Sequence, residues 1–339
     1  MKRLIAIMLA VLLAAAAFAG CSGKTGGAVK DGRARPSNSG ALKVVDGKLC
    51  SSSGEKVMLR GISTNDLICA ESYVNEAFFR ELSSEYGVNV IRLAMYTYGV
   101  GILGYCTNGD RERYKADIDK AVEYAAASDM YVIIDWHILS DGDPNTHIDD
   151  SVEFFAETAE KYAAYENVIY EICNEPNGVD WQTVKAYAET VIPVIREKAP
   201  DSLIIVGTPD WSKDLLSAAE DSLPFDNVMY ALHFYSATHG AEVRAAAEAA
   251  SRVGLPIFVT EYGVTASSGD LPRDIPAADE WIEMLERENI SYCMWSLART
   301  GEASSVILSR ISKTSGFDRE DFTETGKWFI DNIEKHKGM

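Results

Sequence analysis

Positive charge is scarce in this sequence. Its 339 residues include 32 lysines and arginines against 51 aspartates and glutamates, and the formal net charge is −19 at pH 7 with histidine neutral. A surface this acidic repels the phosphate backbone of nucleic acid, which excludes a nucleic-acid partner and favours an uncharged substrate. The apolar content of 47% is enough for one large core, so we expect a single folded domain.

Recognisable metal and nucleotide sites are also missing. The six cysteines show no zinc-binding spacing, and no glycine-rich loop follows the first predicted strand. We therefore expect neither a metal nor a cofactor. Cys173 and Cys293 lie in apolar runs and are predicted core residues, whereas Cys69 and Cys106 fall in predicted loops and are the candidate pair for a disulfide.

The N-terminus carries the one long apolar run. Residues 4–18 are all apolar, follow two basic residues and precede Ala19-Gly20-Cys21, a pattern typical of a lipoprotein signal. A plain secretory signal or an N-terminal membrane helix is the alternative. We predict an exported, monomeric lipoprotein that faces the cell surface or the periplasm. Its segments are a signal peptide over residues 1–20, lipid on Cys21, a flexible tether over 22–40 and a folded domain over 41–339.

From residue 41 onward, short β-rich runs alternate with helix-length segments. An Asp46-Gly47 turn between two short apolar segments predicts a hairpin. Eight β-rich runs follow, at residues 57–62, 88–94, 131–136, 168–173, 203–206, 228–234, 256–260 and 290–296. Helical segments between and after them include 111–128, 150–164, 180–198, 241–252 and 324–337. This alternation predicts an α/β fold, a (β/α)8 TIM barrel with a short N-terminal β-hairpin, with a doubly wound open sheet as the alternative.

Two glutamates stand at the ends of predicted strands. Glu175 follows the fourth run and Glu261 follows the seventh, and these two strands face each other across the mouth of a barrel. A facing pair of carboxylates, one protonated and one ionised, is what glycoside hydrolysis requires. Glu171 shares strand parity with Glu175 and is interpreted as structural, which requires a cationic or hydrogen-bonding partner inside the barrel.

Three segments carry a family resemblance. Ile133-Ile134-Asp135-Trp136-His137, Asn174-Glu175-Pro176 and Thr260-Glu261-Tyr262-Gly263 resemble glycoside hydrolase family 5, and within it the cellulase-rich subfamily 2, over residues 41–335. The resemblance implies a retaining endo-β-1,4-glucanase that hydrolyses cellulose or related β-glucans by double displacement. It implies that Glu175 is the acid/base and Glu261 the nucleophile. It assigns substrate-binding or supporting roles to Arg92, Tyr96, His137, Asn174, Trp211, His233, Tyr235, Trp295 and, at an altered position, Asn65.

Simple electrostatics agrees with these roles. Arg92 beside Glu261 would keep that carboxylate ionised, Tyr235 would donate a hydrogen bond to it, and Glu175 is expected to have a raised pKa. Asn174 is expected to bind the sugar 2-hydroxyl, with a turn-forming role before Pro176 as the alternative. Trp295 is expected to stack on a pyranose, whereas Trp211 is either a cleft residue or a core residue.

Two positions depart from the subfamily. Asn65 stands where members usually carry a histidine followed by Gly-Leu-Gln-Trp, and Thr300 stands where a lysine is expected. The same mechanism on mannan, xyloglucan or mixed-linkage glucan is therefore an alternative. A non-catalytic glycan-binding surface protein would have lost a catalytic carboxylate. A metal-dependent hydrolase with His137 and His233 as ligands would lose activity to a chelator.

Overall fold

The computed structural model describes residues 32–98 and 103–336. The predicted signal peptide, Cys21 and the tether as far as residue 31 lie outside the described residues. Within the part of the chain that is described, no helix has both the length and the apolarity to cross a membrane.

An antiparallel hairpin precedes the barrel. Strands β1 (Lys43–Val45) and β2 (Lys48–Cys50) pair through the predicted two-residue turn, with φ angles of 49° at Asp46 and 71° at Gly47. Positive φ at both central positions is the requirement of a type I′ turn, for which Asp-Gly is a favoured pair. The hairpin prediction is confirmed.

Eight parallel strands close into a barrel. In chain order they are β3 (Arg60–Thr64), β4 (Val90–Tyr96), β5 (Tyr131–His137), β6 (Val168–Glu171), β7 (Leu203–Val206), β8 (Val228–Tyr235), β9 (Ile257–Gly263) and β10 (Tyr292–Leu297). Neighbours in sequence are neighbours in the barrel, and β10 pairs with β3 to complete it. The closed order confirms the TIM barrel and excludes the open sheet.

Helices surround the barrel. They are α1 (Pro36–Ser39), α2 (Glu76–Glu81), α3 (Arg111–Ala127), α4 (Ile148–Lys161), α5 (Trp181–Lys198), α6 (Pro209–Ser212), α7 (Leu215–Glu220), α8 (Ala241–Arg252), α9 (Ile275–Glu288) and α10 (Glu324–Lys335). Several begin at an aspartate whose carboxylate accepts a hydrogen bond from a first-turn backbone N–H, as Asp180 does from Thr183 at 2.9 Å. Such caps satisfy donors that the helix itself leaves free. The five predicted helical segments are all present.

Inward-facing residues change character along the barrel axis. Val90, Tyr131 and Phe258 belong to an apolar interior cluster at the N-terminal end of the strands, together with Leu42 and Leu49 of the hairpin region. Because side chains alternate across a strand, Arg92 on β4 also points inward, one layer higher. The hairpin therefore closes one end of the barrel with apolar side chains and leaves the other end to charged groups.

Strand β9 contains a β-bulge. Ala231 and His233 of β8 pair with Phe258 and Glu261, so β9 has one residue more than its partner over this stretch, and its pairing with β10 shifts in the same way. A bulge of this kind re-aims side chains next to it. The consecutive residues Thr260 and Glu261 consequently both contact groups in the barrel interior.

The tether prediction is wrong at its C-terminal end. Arg35 and Ser39 are buried, and the Arg35 guanidinium donates to Ser83 Oγ at 2.7 Å. Ser37 N–H donates to the Asp129 carboxylate at 2.9 Å. Residues 32–40 therefore belong to the folded domain, because their polar side chains pair with the barrel although the segment offers little apolar surface.

The two predictions about cysteines have different outcomes. Cys173 and Cys293 are completely buried, as expected of core residues. Cys69 and Cys106 are free thiols, so the disulfide considered for them is wrong. Their sulfurs lie in different loops, and the Cys69 thiol contacts Asp66 instead.

Candidate active site

The two glutamates predicted from strand ends meet at the C-terminal mouth of the barrel. Glu175 follows β6 and Glu261 lies on β9, and both side chains are nearly buried. One carboxylate oxygen of each, together with an imidazole nitrogen of His233, lie within 4.8 Å of one another. The facing pair expected from the sequence is therefore present.

Arg92 is a fully buried cation that binds three carboxylates. Its Nε is 2.7 Å from Glu171, its Nη1 is 3.0 Å from Glu261 and its Nη2 is 3.0 Å from Asp135. Burial alone would lower the pKa of Arg92, but the surrounding carboxylates raise it well above its usual value. Glu171 thus has the cationic partner that its inward position requires.

Glu261 accepts a hydrogen bond on each carboxylate oxygen. The Arg92 guanidinium donates to Oε2 at 3.0 Å, and the Tyr235 hydroxyl donates to Oε1 at 2.6 Å. Donors directed at both oxygens favour the ionised form of a carboxylate. The two donors also hold the Glu261 carboxylate in one orientation, as an attacking group requires.

Glu175 lies in the opposite environment. Burial raises the pKa of Glu175 to about 7, against the opposing effects of the Arg92 and Lys213 charges. The raised pKa agrees with the expectation from sequence. A carboxyl group with a raised pKa is suited to the acid role in a pair of this kind.

Hydrogen-bond directions also put a proton on Glu175. The Thr260 hydroxyl donates to Glu171 at 2.7 Å, so its oxygen can only accept at its 2.8 Å contact with His233 Nε2. Burial lowers the pKa of His233 to about 4, so the ring is neutral and carries its single proton on Nε2. His233 Nδ1 is then an acceptor, and Glu175 at 3.0 Å must be the donor.

Glu171 anchors this chain of hydrogen bonds. Burial raises the pKa of Glu171 and Arg92 opposes the rise. Two guanidinium nitrogens reach its two oxygens, at 2.7 and 3.2 Å, which favours the ionised carboxylate. Glu171 is therefore the acceptor from which the directions of the other hydrogen bonds follow.

Hydrogen bonds hold the side chain of Asn174 in place. Arg92 donates to its Oδ1 at 2.6 Å, while its Nδ2 donates to the Ile138 carbonyl at 2.9 Å and contacts His137 Nε2 at 3.3 Å. His137 in turn bonds Asp135 through Nδ1 at 2.6 Å. A residue serving only as a turn former would not hold these contacts, and the long one to His137 is the one that a ligand hydroxyl can replace.

Aromatic rings form one wall of the site. Tyr96 and His137 have ring centroids 4.2 Å apart, and His137 stacks on Trp295 at 5.6 Å with an angle of 14° between the planes. Trp211 lies apart from them and is 44% exposed, so the core alternative for it is wrong. Its backbone N–H donates to the Pro176 carbonyl at 3.1 Å, which holds the turn carrying Trp211 beside Glu175.

The positions that depart from the family lie on the same face. Asn65 is half-buried directly after β3, and Thr300 is exposed after β10. Thr260 could not be recognised from the sequence as a site residue, because strand parity cannot place both Thr260 and Glu261 inside the barrel. Nor did any sequence pattern point to Asp66, a buried carboxyl next to Asn65 whose pKa burial raises to about 6.

Comparison with known proteins decides the family. The sequence model described as Cellulase (glycosyl hydrolase family 5) matches residues 50–301. The chain belongs to glycoside hydrolase family 5. Two of its relatives in the family are Endoglucanase A of Butyrivibrio fibrisolvens, 44% identical over 302 residues, and an endoglucanase of Clostridium saccharobutylicum, 43% identical over 289 residues. These matches cover 88% and 85% of this chain but 70% and 63% of the relatives.

Solved structures of the family agree in fold. The cellulase Cel5C_n is 39% identical, with a TM-score of 0.84 over 88% of this chain and 94% of that one. The catalytic domain of Thermobifida fusca endoglucanase Cel5A, solved in complex with cellotetraose, is 33% identical, with a TM-score of 0.84 over 89% of this chain and all of that one. This family 5 member is thus a glycoside hydrolase on the fold predicted from its sequence.

Proposed function

We propose that the protein is a retaining endo-β-1,4-glucanase that cleaves cellulose or related β-glucans by double displacement. The proposal rests on the proximity of two buried glutamates, of which Glu175 has a raised pKa and Glu261 accepts hydrogen bonds from Arg92 and Tyr235. Retaining glycosidases have carboxyl groups roughly 5 to 5.5 Å apart, whereas inverting ones need roughly 6.5 to 9.5 Å to admit a water. One carboxylate oxygen of Glu175 lies within 4.8 Å of one carboxylate oxygen of Glu261, an approach close enough to favour retention.

The first displacement would form a covalent intermediate. Glu175 gives its proton to the glycosidic oxygen while Glu261 attacks the anomeric carbon, so the leaving chain departs as an alcohol and the sugar becomes bound to Glu261. Asn174 is positioned to bind the sugar 2-hydroxyl, a contact that strengthens as positive charge develops on the ring. Trp295 is 7% exposed and stacks on His137, and we expect its ring to pack against the pyranose at the bottom of the cleft.

The second displacement would regenerate the enzyme. Glu175, now ionised, takes a proton from water as that water attacks the anomeric carbon and breaks the bond to Glu261. Arg92 and Tyr235 stabilise the departing Glu261 carboxylate through the hydrogen bonds that they already donate to it. The sugar is released with its original anomeric configuration and Glu175 is protonated again.

The substrate assignment has a direct test. We expect the purified protein to release reducing sugar from carboxymethylcellulose and barley β-glucan in preference to xyloglucan, xylan and mannan. Relatives named endoglucanases, and the cellotetraose complex of the Thermobifida fusca enzyme, support this order. Preference for another polymer would replace the glucan assignment and direct attention to the loop that carries Asn65. Absence of activity on all five polymers would favour the glycan-binding alternative.

The hydrogen-bond chain from Glu171 predicts a change in pH dependence. Glu175 must be protonated to act as an acid, so kcat/KM falls as the pH rises through its pKa of about 7. Thr260→Val removes the acceptor that keeps the His233 proton on Nε2. The His233 proton can then move to Nδ1 and stabilise ionised Glu175, which lowers the pKa of Glu175. The fall of kcat/KM with rising pH is therefore expected to shift to lower pH by about half to one unit.

A conservative variant controls this experiment. Thr260→Ser keeps the hydroxyl and is expected to keep the wild-type pH profile of kcat/KM. Profiles that superimpose for Thr260→Val and the wild type would show that the hydroxyl does not control the proton on Glu175.

Location and assembly are also proposed from the sequence. Export, with lipid on Cys21 and the catalytic domain outside the cell, is supported by the apolar run before Ala19-Gly20-Cys21, and the domain is proposed to be a monomer. An extracellular location suits a polymer too large to enter a cell. Labelling by a radioactive fatty acid that disappears in Cys21→Ser would support the anchor.

A further inference from the structure

Three side chains of metal-binding type meet outside the carboxylate site. Cys106 lies in the loop after β4, His147 ends the short helical turn before α4, and Asp150 is in the first turn of α4. The Cys106 sulfur, an imidazole nitrogen of His147 and a carboxylate oxygen of Asp150 all lie within 4.8 Å of one another. None of the three has a role in the glycosidase mechanism described above.

The backbone holds these ligands in place from two directions. Cys106 N–H donates to the Thr97 carbonyl at 2.9 Å, which ties its loop to the segment that follows β4. His147 and Asp150 are three residues apart at a helix start and therefore share a face, with Nδ1 and Oδ2 3.8 Å apart. The ligands come from two loops distant in sequence, which explains why no zinc-binding spacing is visible.

We propose that Cys106, His147 and Asp150 bind one Zn²⁺ ion, with water as a fourth ligand. Thiolate, imidazole and carboxylate are all ligands of Zn²⁺, and sites with three protein ligands leave one coordination position open. A thiolate also discriminates against Mg²⁺ and Ca²⁺, which prefer oxygen. The three groups are only half-buried, so an ion can reach them from solvent.

Arg111 orients the carboxylate of this cluster. Its Nη2 donates to Asp150 Oδ1 at 2.7 Å, which leaves Oδ2 on the side of His147. Its Nε is held by the Tyr105 carbonyl at 3.1 Å. Ligating carboxylates are commonly hydrogen-bonded in this way through their second oxygen. The Arg111 charge opposes a cation, but a thiolate, Asp150 and the nearby Asp141 carboxylate outweigh it.

Binding would exchange a proton for the metal. Burial and the neighbouring Asp150 carboxylate raise the pKa of the Cys106 thiol, so the sulfur is protonated without metal. Formation of the sulfur–zinc bond sends that proton to the buffer, and one proton leaves for each ion bound. The ion would join the loops that follow β4 and β5, and we expect it to raise the unfolding temperature by mass action.

Cobalt provides the probe for the test. We expect chelator-treated protein to bind one Co²⁺ with a thiolate-to-cobalt charge-transfer band, which added Zn²⁺ abolishes. Cys106→Ser should lose the band and weaken Zn²⁺ binding by more than about tenfold. Mutation of a residue that only hydrogen-bonds to a metal ligand commonly lowers metal affinity by about that factor, and loss of a ligand itself is expected to cost more. His147→Gln keeps the thiol and should weaken both metals, which covers the case in which Cys106→Ser does not fold.

Two controls make the result specific. Cys69→Ser removes the exposed thiol of another loop and should keep the band unchanged. Glu175, His233 and Glu261 also lie within metal-binding distance, but they contain no sulfur, so cobalt bound there gives no such band. Absence of the band in the wild type, its survival in Cys106→Ser or its loss in Cys69→Ser would overturn the proposal.

Discussion

Glu261→Gln is expected to abolish turnover of glucan. The amide has no charge to attack the anomeric carbon, and it cannot leave as a stable carboxylate in the second displacement. Removing a nucleophile commonly costs about four orders of magnitude or more in kcat. Reducing-sugar release from β-glucan measures the loss, and circular dichroism checks that the variant is folded.

The nucleophile assignment can be tested by mass as well as by rate. A 2-fluoro cellobioside with a good leaving group should add the mass of one fluorocellobiosyl group, a disaccharide, to the wild-type protein, because fluorine slows hydrolysis of the glycosyl-enzyme. Glu261→Gln should gain no such mass. Glu160→Gln, on the exposed side of α4, is the matched control and should behave as the wild type. Substantial glucan turnover by Glu261→Gln would refute the assignment.

Glu175→Gln is expected to separate substrates by their leaving group. On natural glucan the alcohol cannot depart without a proton, so the rate should fall by about 10²- to 10⁴-fold. A dinitrophenyl cellobioside needs no acid in the first displacement, but the second still lacks its base. We expect a burst of about one dinitrophenolate per enzyme followed by a slow steady rate.

Azide extends this experiment to stereochemistry. A small anion needs no base, so azide should accelerate the slow steady rate of Glu175→Gln and yield a β-glycosyl azide. The α-azide would indicate direct inversion instead of two displacements. If the burst on the dinitrophenyl substrate, which reports the first displacement, were slowed as much as the turnover of glucan, Glu175 would not be the acid.

The barrel was predictable because its signals are local. Most strands coincide with short apolar runs, although β3 (Arg60–Thr64) starts three residues later than the run predicted at 57–62, and the hairpin turn carries the Asp-Gly pair that its backbone requires. Glu175 and Glu261 could be found for a related reason, since strand ends at one face of a barrel converge. Apolar patterning and strand order together were therefore enough to locate the central pair.

Features that depend on tertiary contacts were not predictable in this way. The folded domain starts earlier than expected because Arg35 donates a hydrogen bond to Ser83. The composition of the segment does not reveal this contact. Trp211 sits on a turn with positive φ at three successive residues, a conformation that the sequence around it does not require. The cluster around Cys106 forms only when two loops meet.

The bulge in β9 has a mechanical consequence. Thr260 contacts His233, and Glu261 is the proposed nucleophile, yet the two are consecutive residues on one irregular piece of backbone. Any shift of that backbone moves the Thr260 hydroxyl and the Glu261 carboxylate together. A deletion that restored regular strand pairing would displace both side chains at once.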